Sequence, residues 1–331
     1  MSLAPKEIPL GAIRFNSDSQ KLEYWNGTIW LQIHSFSPNL EGGARGTFAG
    51  GFSPSNSDRI DFITIPTTGN ATDFGNLIAA KGAAGTCASN TRGLMGGGGG
   101  GGNVNTIQFW TFSSIGDAVD FGDLTSSRHW TQPASNQTRG VWAGGHPGVN
   151  IIEFVTMTHA GNAVNFGDMS YVTAVGANSA NNSPTRGFFG GGTPTYTNVI
   201  EFINFGSTGN SMDFGDSSTQ IAREARGSSA TRALLIGGVR PEPSASTIVD
   251  FFTMSSLGNA TSFGDAGSSI SNSSGCSDCV RVAFDHGNNP STTDTIEYIN
   301  ISTGGDAVDF GNLSQSRDHM GGCSNGHGGL G

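Results

Sequence analysis

Six times between residues 45 and 325 the chain runs through one pattern: an arginine, a short apolar run ending in most units in paired glycines, a loop, an alternating apolar and polar segment, a turn, and Asp-Phe-Gly or a near variant. The arginines Arg45, Arg92, Arg139, Arg186, Arg232 and Arg281 lie 47, 47, 47, 46 and 49 residues apart, and Phe74, Phe121, Phe166, Phe214, Phe263 and Phe310 follow with similar spacing. A repeat of this length is one supersecondary unit that cannot bury its apolar side alone, so neighbouring units must stack. Six such units match the four-stranded blades of a β-propeller.

Within the second unit the pattern predicts strands at 92–97, 104–112 and 118–124, with the first strand of the next blade near 128–136. The ends of the chain specify the closure. The first unit starts at its second strand, Arg45-Gly46-Thr47-Phe48-Ala49, while residues 317–325 after the last unit read as a first strand with no successors. The fold class expected is therefore all-β: a six-bladed propeller at 41–331 whose C-terminal strand completes the first blade and leaves no open edge. Residues 1–40 differ. Segments 11–16, 21–25 and 28–33 alternate, separated by Ser17-Asp18-Ser19 and by Asn26-Gly27, a strong type I′ hairpin signal, so a small three-strand meander is expected there with its apolar face against another surface.

Composition agrees with short strands and tight turns: 52 glycines in 331 residues and only 13% charged residues leave little for helices. A net charge of −10 without a Lys/Arg cluster argues against nucleic acid as a partner. Residues 1–11 lack a signal-peptide pattern, and no apolar stretch reaches the ~18 residues of a membrane span, so no membrane insertion is expected.

Few residues suggest chemistry. The repeated arginines are expected to tie strands or blades together through carboxylates or carbonyls, since every unit has one. Acidic pairs such as Asp120/Asp123 and Asp213/Asp216 lack the dense ligand ladder of a calcium loop. Cys276 and Cys279 have no second close pair to complete a zinc site, and Cys87, Cys276 and Cys323 fall at equivalent places on the innermost strands. The run of seven glycines at 96–102 precedes no helix and no Gly-Lys-Ser, which makes it a flexible loop and not a phosphate cradle. No catalytic constellation, cofactor or metal is expected.

The turns between third and fourth strands are nearly uniform, whereas the connections between second and third strands, at 52–58, 98–103, 146–150, 193–198, 239–246 and 286–294, vary in length and chemistry. Up-down strand order places these variable connections on one face, where recognition is expected. Phe52, Trp130, His146, Tyr196, Arg240 and Asn289 are the candidate contacts there.

Segments such as TRGLMGGG, NTIQFWTF, GDAVDFGDL and SSRHWTQPASNQTRG resemble kelch-type propeller units. The set as a whole is similar to the glycine-rich propeller repeats of virion and tail-fibre proteins of tailed bacteriophages, particularly marine ones, and IPLGAIRFNSDSQKLEYWNGTIWLQI resembles short segments of phage fibre and adhesin proteins. Phe replaces the usual kelch Trp of the fourth strand, so kelch partner binding does not carry over. The resemblance implies a non-catalytic virion protein made in the host cytoplasm. It would be a tail-fibre or adhesin component presenting its loops to a host surface glycan or protein, or alternatively a capsid or tail decoration protein; a glycan-acting enzyme is the remaining reading. It further implies docking to other virion proteins through residues 1–40, and a homo-oligomer where the context is a fibre.

Overall fold

The computed structural model describes residues 8–16, 21–32, 44–194, 196–240, 244–288 and 290–330. The chain divides into two compact units, Met1–Asn39 and Leu40–Gly331.

The first unit is a consecutive antiparallel sheet of Ile13–Asn16, Lys21–Trp25 and Trp30–Gln32. Its second turn differs from the expected two-residue hairpin. Trp25 pairs directly with Trp30, so the loop spans four residues. The Asn26 side chain accepts hydrogen bonds from the amides of Thr28 and Ile29, at 2.9 and 2.8 Å. The two indoles stand 5.5 Å apart across this pairing. Ile13 opposite Tyr24 and Phe15 opposite Leu22 form an exposed apolar face, whereas Glu23 is buried on the other face against Arg14 and Asn16.

The second unit is all-β and propeller-like, with six four-stranded antiparallel sheets among the described residues. The first sheet holds Gly321–Ser324, Arg45–Ala49, Arg59–Thr64 and Thr72–Asn76, so the last strand of the chain pairs with the first of this unit. The second sheet comprises Gly85–Ala88, Arg92–Gly96, Thr106–Thr111 and Val119–Asp123. The other four run outward from Gln132–Ser135, Asn181–Asn182, Ala225–Ser228 and Gly275–Ser277 to Val164–Thr173, Met212–Asp216, Thr261–Ile270 and Val308–Asn312.

Apolar side chains fill the spaces between sheets. Ile60 and Phe74 of the first sheet meet Trp110 and Phe112 of the second, and Phe310 of the sixth meets Phe48 and Ile63 of the first. Each such side chain contributes about 1.5–3 kcal/mol by leaving water, so burial between sheets is the main source of stability.

Three recurrent polar devices join neighbouring sheets. At the centre, the innermost strands are linked by side chains one repeat apart. The Ser135 hydroxyl donates to the Ala88 carbonyl, that of Ser228 to Asn182 and that of Ser277 to Ser228, each at 2.9 Å. Asn182 accepts from the Ser135 amide at 2.9 Å, and Ser324 donates to the Ser277 carbonyl. Midway out, each repeat arginine reaches a backbone carbonyl of the following sheet: Arg45 to Phe112, Arg92 to Met157, Arg139 to Phe205, Arg186 to Met254, Arg232 to Ile301 and Arg281 to Pro66. Each guanidinium also lies over an aromatic ring of its own sheet, at 4.6–5.3 Å.

At the rim, the glycine of Asp-Phe-Gly lies directly against the third turn of the next sheet. A Cβ on Gly122 would stand 2.4 Å from the Gly161 carbonyl oxygen, and one on Gly311 would stand 2.5 Å from that of Gly69. Gly122 also has φ +147°, where only glycine is unstrained. Gly122→Ala is therefore expected to cost about 1–3 kcal/mol in backbone strain alone. Urea denaturation checks this, and an unchanged midpoint would show that the rim contact yields freely.

Candidate functional site

The connections that enter the innermost strands meet the variable connections on one face. Paired backbone bridges join Phe52 to Asp318, Gly82 to Gly99, His129 to His146, Val175 to Thr193, Ala222 to Val239 and Ser271 to Gly287. Just after these bridges the chain turns inward at equivalent positions, occupied by Ala83, Trp130, Gly176, Arg223, Asn272 and His319.

These six residues stand on that face, at what we call the mouth. Gly176 N donates to Trp130 O at 3.3 Å, Trp130 N to Ala83 O at 2.5 Å, Ala83 N to His319 O at 2.8 Å, and His319 N to Asn272 O at 3.0 Å. Ala83, Trp130, Arg223, Asn272 and His319 all take left-handed backbone angles, with φ between 53° and 64°. Such angles are costly for residues with a Cβ and persist only where the surroundings enforce them. For Ala83, Trp130, Asn272 and His319 the enforcing element is the chain of backbone bonds, and Arg223 lies against the Trp130 ring.

The side chains form an aromatic and basic cluster. The Trp130 ring lies 4.6 Å from His129 and 6.0 Å from His319, with the Arg223 guanidinium 5.8 Å from its centroid. His129 is 4.8 Å from His146 and shares a 2.7 Å hydrogen bond with Asn103. Burial, reinforced by the neighbouring His146 and His319, pushes the His129 imidazole down to about 4, so it is neutral near pH 7. Arg223 Nε and Asn272 Oδ1 are buried and have no hydrogen-bond partner among the described residues. Beside them Phe52, 45% exposed, and His319 line a cavity of about 170 Å³ with Asn56, Gly82 and Ala83. A half-buried indole beside a guanidinium whose Nε is unsatisfied suits a polar ligand with an apolar face, such as a sugar ring.

The candidate contacts read from the sequence are placed unequally. Phe52, Trp130 and His146 belong to this cluster. Tyr196 is half-buried on the connection of the fourth sheet. Arg240 is 6% exposed, with Nη1 on Asp250 at 2.5 Å and Nε on the Gly237 carbonyl at 2.8 Å, so it braces the fifth sheet and is withdrawn as a contact. Asn289 lies outside the described residues. Sequence reading missed His129, Arg223, Asn272 and His319. Arg223, Asn272 and His319 stand at the position of Trp130 in other repeats, and His129 stands next to it.

Cys87, Cys276, Cys323, Arg226 and His327 surround a space of about 10 Å³. Burial pushes the Cys323 thiol up to about 12 and raises Cys87 and Cys276 well above the usual thiol range, so these thiols stay protonated. Cys279 donates to the Gly326 carbonyl at 3.3 Å. No protein-family model matches the chain, and no curated protein matches it. Among the described residues, no helix is long and apolar enough to cross a membrane.

Proposed function

We propose that the chain is a six-bladed β-propeller closed by its own C-terminal strand. In this reading it works without catalysis as a virion protein of a tailed bacteriophage, a tail-fibre or adhesin subunit that holds a host surface glycan at the mouth. The observation that carries the binding role is the convergence of Trp130, His129, Arg223 and His319 on the face with the variable connections. The innermost strands support the closed ring, because they touch in the order of the sheets and Gly85–Ala88 also touches Gly321–Ser324. The exposed face of Ile13, Phe15, Leu22 and Tyr24 supports attachment to other virion proteins, and favours a capsid or tail decoration protein as the second reading.

Purified protein is expected to bind a subset of an array of bacterial surface glycans, with Trp130→Ala weakening that binding about tenfold or more, ~1.4 kcal/mol. Alanine keeps the fold at this position, because Ala83 holds the same backbone angle one repeat earlier. A folded Trp130→Ala variant that binds unchanged would exclude the mouth as the receptor site. Imaging of intact virions separates fibre from decoration, and absence of the subunit from all particles would overturn both.

A further inference from the structure

The third strand of every sheet carries a buried polar residue three places from its pairing with the repeat arginine: Asp61, Gln108, Glu153, Glu201, Asp250 and Glu297. Five are acids. Each acid has compensating partners: Asp61 takes Arg317, Glu153 takes Arg128, Asp250 takes Arg240, Glu297 takes His286, and Glu201 accepts from the hydroxyls of Ser170 and Ser211. The second sheet alone has an amide, Gln108, whose Oε1 accepts from the Ile78 amide at 2.8 Å.

The cation of this arrangement is nevertheless present. Lys81 stands one repeat before Arg128, on the corresponding connection, and is 4% exposed. Its Nζ donates to the Thr106 carbonyl at 3.3 Å and forms no salt bridge among the described residues. Where Arg128 pairs with Glu153, Lys81 shares its cavity with a neutral amide. An ammonium this buried without a carboxylate is poorly compensated, and burial brings its pKa down to about 8.

A cavity of about 120 Å³ opens beside it, lined by Ala80, Lys81, Gly100, Val104, Thr106 and Gln108 among others. A single water needs only about 10–15 Å³ of such space, so the cavity has room for an anion of acetate or propionate size. The glycine run forms part of its wall. Gly99 is paired with Gly82 through two backbone bonds of 2.9 and 3.0 Å, so this part of the run is held in place, contrary to the flexible loop expected from sequence. A Cβ on Gly98 would stand 3.0 Å from Lys81 Cδ, and one on Gly100 would stand 2.7 Å from the Ala80 carbonyl oxygen. Only glycine allows the run to lie this close.

We propose that this cavity, beside Gln108, binds a small organic carboxylate held by the Lys81 ammonium, and that the carboxylate supplies the negative charge that the third strand of every other sheet carries itself. The inference is independent of the mouth and of any receptor. Among the described residues, Lys81 is the only titratable side chain in the cavity wall, so the pH dependence follows from it. The bound carboxylate favours the charged amine. Affinity is therefore fullest below about pH 8 and falls as pH rises through that value.

The test is titration of the full-length protein with sodium acetate and sodium propionate, followed by calorimetry and by thermal unfolding, with sodium chloride at matched ionic strength as the control. Saturable binding at neutral pH and a rise in melting temperature are expected, both diminishing in alkaline buffer. Lys81→Met is expected to abolish them. Gln108→Glu supplies an internal carboxylate, so it is expected to raise the melting temperature and weaken acetate binding about tenfold or more; it decides the matter should Lys81→Met fail to fold. Acetate binding unchanged in Gln108→Glu, equal protection by chloride, or no response of the parent protein to either carboxylate would overturn the proposal.

Discussion

A chain cut after Met320 is expected to lose its cooperative thermal unfolding transition and to bind hydrophobic dyes at room temperature. Residues 321–324 pair with Gly46, Thr47, Phe48 and Ala49, and they are the innermost strand of the first sheet. Cys323 belongs to the apolar cluster with Ala49, Ile60 and Phe74, and Ser324 donates to the Ser277 carbonyl across to the sixth sheet. Beyond the strand, the buried His327 imidazole is 2.8 Å from the Ala88 carbonyl oxygen, and Gln137 donates to the Leu330 carbonyl at 3.2 Å. The cut therefore exposes an unpaired edge on Arg45–Ala49 and opens apolar surface on both sides of one sheet. Differential scanning calorimetry and dye fluorescence read the outcome. A truncated chain that melts cooperatively near the parent temperature would show that the first and sixth sheets are held together without this strand.

Asp61→Leu is expected to cost about 3–5 kcal/mol, the loss typical of a buried ion pair stripped of one partner. Arg317 Nη2 lies 2.6 Å from Asp61 Oδ2, while its Nη1 donates to the carbonyls of Gly50 and Arg59 at 2.7 and 2.9 Å. Burial already pulls the Arg317 guanidinium below its usual range, and Asp61 opposes that shift. Removing Asp61 leaves a buried cation with only carbonyl partners, and strips the Ser314 hydroxyl of its acceptor. Asp61→Leu with Arg317→Met removes both charges and is expected to regain most of the loss. Urea denaturation of the two single variants and the double variant measures the coupling. A cost below about 1 kcal/mol for Asp61→Leu would mean that water replaces the carboxylate.

Much of the second unit was legible because its signals are local. Strands expected at 92–97, 104–112 and 118–124 occur at Arg92–Gly96, Thr106–Thr111 and Val119–Asp123. Alternation, glycine pairs and turn residues act within a few positions, and six copies reinforce one another. The Asn26-Gly27 turn was misread because Trp25 pairs directly with Trp30 across it, a register that dipeptide chemistry does not report. Arg240 was misjudged for a similar reason. A charged residue in a variable connection resembles a surface contact until the register shows Asp250 beneath it. Trp130 stood out by residue type, whereas Arg223, Asn272 and His319 are ordinary residues that gain meaning only from their shared position around the mouth.

The amino-acid sequence by itself determined the repeat, its strands and the residues that vary between units, because these follow from side-chain periodicity and from the turn chemistry of glycine and asparagine. Only the tertiary structure decided which variable residues meet. Trp130 and His319 are far apart in the chain but stand 6.0 Å apart, because a chain of backbone bonds joins them through Ala83. It also decided that Lys81 shares a cavity with the neutral Gln108 where its counterpart Arg128 pairs with Glu153, since partnership across a sheet depends on register and burial, which no local stretch of sequence encodes.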